Sequence, residues 1–172
     1  GRLTEYGAAL TGLPVGISVA LPMIDAHAAL PATGMTRSGD LTLILGTSTC
    51  HILNSDRLRK IQGVCGYVKD GVIPALYTYE AGQAAVGDCF DWFVKSCVPA
   101  GYTEAAQAAG LGIHAYLRSL AEKKSPGESG VMALDWWNGN RSVLADFDLS
   151  GLFLGMNLNT RAEDLFRALV EA

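Results

Sequence analysis

The chain has 172 residues, of which 49% are hydrophobic and 17% charged, and its formal net charge is -4. This length suits a single domain with a hydrophobic core. No cluster of lysine and arginine is present, which argues against a nucleic-acid partner, and no apolar run reaches the roughly 18 residues of a membrane span.

The first half of the chain is predicted to form strands. An apolar run covers residues 15–24 and indicates a buried strand. Residues 41–46 and 50–53 flank a tight polar turn, which predicts a β-hairpin, and a Lys69-Asp70-Gly71 turn predicts a second one. The predicted strands of this half are 15–24, 41–46, 50–53, 61–68 and 73–79.

The second half of the chain is predicted to be mainly helical. Apolar residues recur with helical spacing over 86–97, 113–121 and 165–170. Thr160 and Glu163 predict a capping box before the last of these helices, and residues 131–134 predict a short buried strand. This order of strands followed by helices predicts an α/β fold with a mixed sheet and packed helices.

The four cysteines form no C-x-x-C pair. This pattern favours ordinary buried thiols in a reducing, cytoplasmic compartment over a disulfide framework. The histidines His27, His51 and His114 do not supply the closely spaced ligand pairs of a zinc site, so no metal ligands are expected among the side chains.

Asp25 is an isolated carboxylate directly after the first apolar run. Open α/β sheets bind ligands at the carboxyl ends of their strands, and a carboxylate placed there costs stability unless it is paired, hydrogen-bonded or functional. Asp25 is therefore a candidate general base or metal-adjacent carboxylate. The alternative is a helix N-cap, a role for which Asp is common.

Two further polar segments follow predicted strands. The turn Gly46–Thr49 can present backbone N–H groups and hydroxyls to a phosphate, or it is an ordinary polar turn; it is not a Walker A loop. Glu80 can accept two hydrogen bonds from ligand hydroxyls, or it complements the dipole of a following helix. The segment Trp136–Arg141 can stack a ligand or pack as a structural turn.

Taken together, these segments closely resemble the FGGY carbohydrate kinases. The matching motifs are Ile-Asp-Ala-His-Ala-Ala at 24–29, Gly-Thr-Ser-Thr-Cys-His at 46–51, Tyr-Glu-Ala-Gly-Gln at 79–83 and Trp-Asn-Gly-Asn-Arg-Ser at 137–142. They occur in the order of the family, and the similarity extends from Leu3 to Glu171. Within the family it is strongest to kinases of the ketopentose L-ribulose.

This resemblance implies an actin/hexokinase-like (ribonuclease H-like) ATPase fold, with residues 1–172 forming part of the C-terminal, nucleotide-side domain. It implies ATP and Mg²⁺ as cofactors, a homo-oligomeric parent enzyme, and phosphorylation of a pentulose at a terminal hydroxyl. Asp25 falls on the catalytic base, which also contacts the sugar. The other implied site residues are His27 and Glu80 for the sugar, and Gly46, Thr47, Ser48 and Thr49 for the nucleotide phosphates.

The chain has no initiator Met and ends at Ala172 within a predicted helix, so we expect a truncated piece of a longer protein. The resemblance implies that the first domain and the adenosine motif lie outside it, and we therefore expect little or no kinase activity from the isolated chain. Two alternatives stay open: a kinase for another sugar or polyol, such as xylulose or glycerol, and a non-catalytic domain that retains the fold.

Overall fold

The computed structural model describes residues 1–20 and 22–172, within which six helices and six strands are formed. None of the helices in these two ranges has the length and apolar character needed to cross a membrane. In chain order the elements are α1 (Glu5–Thr11), α2 (Asp25–Ala32), β1 (Leu41–Leu45), β2 (Thr49–Ser55), β3 (Gly66–Lys69), β4 (Tyr77–Ala81), α3 (Gly87–Cys97), α4 (Ala100–Ala108), α5 (Ile113–Ala121), β5 (Met132–Leu134), β6 (Leu152–Leu154) and α6 (Ala162–Glu171).

Four strands form one sheet in the spatial order β1-β2-β4-β3. The predicted hairpin over 41–53 is confirmed, with Leu45 of β1 opposite Thr49 of β2. The second hairpin is also confirmed, although β3 and β4 begin later than predicted, and Asp70 adopts a φ of 57° in its turn. Every strand pair of this sheet is antiparallel, which differs from the predicted mixed sheet. The links 46–48 and 70–76 join the β1–β2 and β3–β4 pairs and are too short for the crossover of about a dozen or more residues that a parallel pair needs.

The strand predicted over 15–24 is wrong for the part of that segment that the structure describes, which is all of it except Leu21. Ser18 of this segment pairs with Arg2 in an isolated bridge, and the described part of the segment does not join the four-stranded sheet. Because the described apolar side chains of this segment are not covered by a second layer, most of them are exposed. Asp25 accordingly opens α2 instead of ending a buried strand.

The main hydrophobic core is built from α3, α5 and α6. Phe93 and Leu117 are fully buried in it, and Phe166 is 6% exposed. The ring centroids of Phe93 and Phe166 are 6.4 Å apart, within the range of favourable aromatic contacts. The apolar stripes predicted for these three helices are confirmed at their central positions, whereas Cys97 and Val170, at the ends of two stripes, are exposed. Helix α4 was not predicted, because it buries only Ala106 and carries no clear stripe.

The start of α6 is capped by a different residue from the one predicted. Asp164 accepts a 2.9 Å hydrogen bond from the backbone N–H of Arg161. Thr160 instead accepts a 2.9 Å hydrogen bond from the N–H of Asn157, in the preceding turn. The capping box predicted from Thr160 and Glu163 is wrong, because the helix begins one residue later than that motif requires.

Strands β5 and β6 form a separate antiparallel pair beside α6. The predicted strand over 131–134 corresponds to β5, whereas the three residues of β6 were too few to predict. Trp137 follows β5, and its ring lies 4.9 Å from that of Trp92 and 5.4 Å from that of Phe153. These contacts support the structural interpretation of Trp137 over ligand stacking.

Candidate active site

Glu80 lies at the centre of a polar cluster near the end of β4. Its Oε2 atom is 3.1 Å from Nε2 of His27, and its Oε1 atom accepts a 2.5 Å hydrogen bond from Nη2 of Arg141. The side chain is only 26% exposed, so partial exclusion of water strengthens its ion pair with Arg141. Since α3 begins only at Gly87, a role for Glu80 in a helix first turn does not hold. The structure thus brings together Glu80 and His27, two of the predicted sugar-binding residues.

Asp25 and His27 lie two positions apart on α2, so they occupy different faces of that helix. His27 reaches the sheet, whereas Asp25 is exposed and its Oδ1 accepts a 2.8 Å hydrogen bond from the N–H of Ala26. Ile24 holds the N-cap position, so the alternative role of Asp25 as the N-cap does not hold. Among the described residues, the Asp25 carboxylate forms no hydrogen bond with Glu80, and it is open to solvent.

The turn Gly46–Thr49 lies against the start of α3. The N–H of Gly87 donates a 3.0 Å hydrogen bond to the carbonyl oxygen of Gly46. A Cβ atom at position 87 would come within 2.6 Å of that oxygen, so only glycine permits this approach. Thr47 is exposed and Ser48 half-buried. The turn therefore has a fixed backbone with accessible hydroxyl groups.

The turn and Glu80 lie at different positions along the antiparallel pair of β2 and β4. Thr49 begins β2, and Ile52, three residues later, is the partner of Glu80. At about 3.3 Å per residue, roughly 10 Å of strand separates these two positions. Thr49 itself is 4% exposed, and its Oγ1 accepts a 3.1 Å hydrogen bond from the N–H of Gln83. This hydroxyl supports the turn from inside the fold.

Arg141 is the member of the cluster that sequence reasoning did not select as a site residue. It lies in the loop after β5, and its Nη1 atom is 3.7 Å from Sγ of Cys50. Burial lowers the pKa of Arg141, but its contacts with the thiols of Cys50 and Cys65 outweigh that effect, so the pKa is raised above its ordinary value. The only sequence signal was its place in the Trp-Asn-Gly-Asn-Arg-Ser motif, which says nothing about contact with Glu80.

His27, Glu80 and Arg141 line an open pocket of about 420 Å³. The rest of the lining is mostly apolar and aromatic and includes Tyr67 and Val68 of β3. This volume falls within the range of small-molecule sites, which combine apolar walls with a few placed polar groups. The arrangement can bind a small ligand that carries several hydroxyl groups, because carboxylate acceptors and guanidinium donors lie side by side.

Comparison with known proteins identifies the family of this chain. Residues 41–172 match the C-terminal domain of the FGGY family of carbohydrate kinases. The chain belongs to the FGGY family. Glu80 and the turn Gly46–Thr49 lie inside the matched region, whereas Asp25 and His27 precede it.

Similarity to curated family members covers the whole chain. It is 51% identical to the ribulokinase of Halalkalibacterium halodurans and 49% identical to that of Bacillus licheniformis, in each case over 172 residues. The aligned region is 31% of the length of each of these proteins. This chain therefore spans about a third of the length of the curated relatives that it matches.

Solved structures confirm the fold class of this FGGY chain. The xylulose kinase of Rhodospirillum rubrum superposes with a TM-score of 0.72 at 30% identity, over 99% of this chain and 32% of that one. The gluconate kinase of Lactobacillus acidophilus gives a TM-score of 0.71 at 17% identity, over 98% of this chain and 32% of that one. The second likeness concerns the fold alone. Both agree with the predicted α/β, actin/hexokinase-like fold of the family.

Proposed function

We propose that this chain contributes part of the catalytic centre of an ATP-dependent kinase that phosphorylates L-ribulose at a terminal hydroxyl. The observation that carries the proposal is the 51% identity with a ribulokinase over the whole chain. The pocket beside Glu80 supports it, since it has room for a small polyhydroxylated ligand. The proposal concerns the complete kinase, as the chain spans about a third of its relatives.

In this proposal, Asp25 is the general base. Phosphoryl transfer depends chiefly on positioning and charge stabilisation, and the base must reach the attacking hydroxyl. The Asp25 carboxylate is exposed, and its Oδ1 contact to the N–H of Ala26 leaves acceptor capacity for a substrate hydroxyl. Proton transfer from the sugar hydroxyl to Asp25 would accompany attack of the hydroxyl oxygen on the γ-phosphorus of ATP, while the bond from that phosphorus to the bridging oxygen breaks and ADP leaves.

Glu80 and His27 bind sugar hydroxyls, and the turn Gly46–Thr49 receives the nucleotide phosphates. The pocket supports the first assignment, because Glu80 and His27 line it together. The accessible Thr47 and Ser48 side chains on a fixed backbone support the second. Ordered donors that do not need to reorganise stabilise developing charge most effectively.

Mg²⁺ would be held mainly by ATP rather than by this chain. Among the described residues, no group of three or more His, Cys, Asp or Glu side chains has an arrangement that could hold a metal ion. Magnesium commonly keeps several waters and takes one or two carboxylates together with substrate phosphates. The exposed Asp25 carboxylate is compatible with one such contact, and the ion would supply charge neutralisation at the phosphates.

The experiment that tests this function replaces Asp25 in the complete kinase. We expect Asp25→Asn to lower kcat by about 10²- to 10⁴-fold, the usual contribution of a general base, while the Kd for L-ribulose changes little. Asp148→Asn is the matched control, because Asp148 is an exposed carboxylate in a loop after β5. Unchanged turnover of the Asp25→Asn enzyme would contradict the assignment of the base.

Xylulose is the second candidate substrate, favoured by the 30% identity with a xylulose kinase structure. A substrate series of L-ribulose, xylulose and glycerol with the complete kinase separates the candidates. We expect the highest kcat/KM for L-ribulose. A higher kcat/KM for xylulose would retain the kinase assignment and change the sugar.

A further inference from the structure

Both carboxylate oxygens of Glu80 already have protein partners, and these come from two distant parts of the chain. Oε2 lies beside His27, which is 53 residues before Glu80 in the sequence. Oε1 accepts from the Arg141 guanidinium, 61 residues after Glu80. The titratable and charged side chains around this carboxylate are His27, Arg141 and Cys50. Glu80 is therefore held in one orientation at the edge of the pocket.

The backbone around Arg141 is fixed independently of its side chain. The N–H of Arg141 donates to Oε1 of Gln83 at 3.4 Å, and the Oγ of Ser142 accepts from the N–H of Gly82 at 3.1 Å. Gln83 is in turn fixed by a 2.8 Å hydrogen bond to Asp135. These bonds hold the loop against the end of β4. The position of the loop, which brings the guanidinium to Glu80, therefore does not depend on the ion pair.

We propose that Arg141 is a positioning residue that sets the affinity for the sugar through Glu80. This proposal rests on the proposed sugar-binding role of Glu80. A carboxylate has about four acceptor directions; Arg141 and the Cys50 thiol both contact Oε1, and His27 contacts Oε2. The acceptor capacity that remains, chiefly on Oε2, is then fixed in direction and can meet a substrate hydroxyl without a loss of side-chain freedom on binding.

Lysine cannot replace Arg141 in this role. The guanidinium contacts Oε1 of Glu80 through Nη2 and Sγ of Cys50 through Nη1, so its planar fork spans two partners. A lysine ammonium is a single point charge on a flexible stem and does not reproduce that geometry. Substitution by lysine retains the positive charge and therefore tests orientation separately from charge.

The test measures steady-state kinetics of the complete kinase with Arg141→Lys and Arg141→Gln. Because a hydrogen bond between charged groups contributes strongly, we expect the KM for L-ribulose to rise about 10-fold for Arg141→Lys and further for Arg141→Gln. The kcat and the KM for ATP should stay within about twofold. Arg118→Lys is the matched control, since Arg118 pairs with Glu122 on the exposed face of α5, and it should leave all three parameters unchanged.

The double variant Glu80→Gln/Arg141→Lys separates this proposal from the proposed function. We expect its KM for the sugar to equal that of Glu80→Gln alone, because Arg141 acts through Glu80. An unchanged KM in Glu80→Gln would contradict the sugar-binding role of Glu80 itself. If Glu80→Gln raises KM but the lysine variant does not, or if the two effects multiply, the positioning role of Arg141 is wrong. A parallel change in kcat and both KM values, together with a lower Tm, would show a purely structural role and also overturn it.

Discussion

The helical layer of α3, α5 and α6 and the sheet that carries Glu80 are stabilised in different ways. The helical layer excludes water from large apolar side chains such as Phe93 and Leu117. The sheet buries polar side chains, including Asn54 and Thr78, beside the apolar Ile52. Apolar burial is nearly independent of direction, whereas hydrogen bonds require defined distances and angles. The helical layer therefore mainly supplies stability, and the sheet mainly supplies geometry to the candidate site.

Helix α2 is attached to the sheet by polar contacts near both of its ends. Near its start, His27 contacts Glu80 of β4. Just after its end, the side-chain amide of Asn54 on β2 donates a 2.9 Å hydrogen bond to the carbonyl oxygen of Met35. Leu30 is the one residue of this helix that is fully buried. The helix that carries Asp25 thus depends on directional contacts for its position.

The largest effect is expected from removing Phe93 at the centre of the helical layer. Phe93→Ala should lower the free energy of unfolding by about 3–5 kcal/mol, because a large apolar contact is lost and a cavity remains. Urea unfolding of the chain measures this change. Val170→Ala on α6 is the control: Val170 is 56% exposed, so a change within about 0.5 kcal/mol is expected. Equal losses of unfolding free energy in both variants would contradict the conclusion that the buried Phe93 contributes more to stability than the exposed Val170.

A smaller effect is expected from Asn54→Ala on the sheet. The side chain is fully buried, and it binds the carbonyl oxygen of Met35 and, at 3.3 Å, the hydroxyl of Thr78. Its loss leaves buried polar groups without partners, at a cost of about 1–3 kcal/mol. Hydrogen exchange should also accelerate over residues 25–40, which this contact holds to β2. Asn159→Ala, in an exposed loop, should change neither quantity; unchanged exchange in Asn54→Ala would show that α2 is held by other contacts.

The smallest effect is expected from acidification, acting on Asp164 of α6. Burial raises the pKa of Asp164, but hydrogen bonds from Lys124 and from the N–H of Arg161 outweigh it, so the pKa lies below its ordinary value. A lowered pKa in the folded state stabilises the protein above the ordinary value of 3.8, and this stabilisation is lost as the pH falls through the folded-state pKa. The effect is small because Lys124 is 31% exposed.

Thermal unfolding between pH 6 and pH 2.5 measures this contribution. The Tm of the unmodified chain should fall more steeply below about pH 4 than that of Asp164→Asn, since the variant lacks the titrating group. Asp148→Asn, at an exposed site, should follow the unmodified chain. Parallel curves for Asp164→Asn and the unmodified chain would show that Asp164 does not contribute to acid sensitivity.

Local patterns predicted the elements whose burial follows from periodicity. The stripes that contain Phe93, Leu117 and Phe166 correspond to three packed helices, because helical spacing itself selects the buried face. The two hairpins were predicted from their turns, since turn length largely determines the pairing of adjacent strands. The run over 15–24 misled the prediction because apolar composition does not indicate whether another layer is present to cover it.

Contacts between distant segments were not predictable in the same way. The ion pair between Glu80 and Arg141 joins residues 61 positions apart, and no periodicity links them. Glu80 was a candidate from its place after a predicted strand and His27 from the family motifs, but their 3.1 Å contact was not part of either prediction. The capping of α6 by Asp164 shows a related limit, because a one-residue difference in the helix start changes which side chain reaches the backbone.

The sequence by itself determined the family, most of the regular elements and the residue types of the candidate site, because these depend on local spacing and short motifs. Only the tertiary structure decided that Asp25 opens an exposed helix, that His27 and Arg141 hold Glu80 from both sides, and that Thr49 is used inside the fold. The physical reason is that side-chain partnership depends on distances of a few ångströms between segments far apart in the chain, and packing of the whole domain sets those distances.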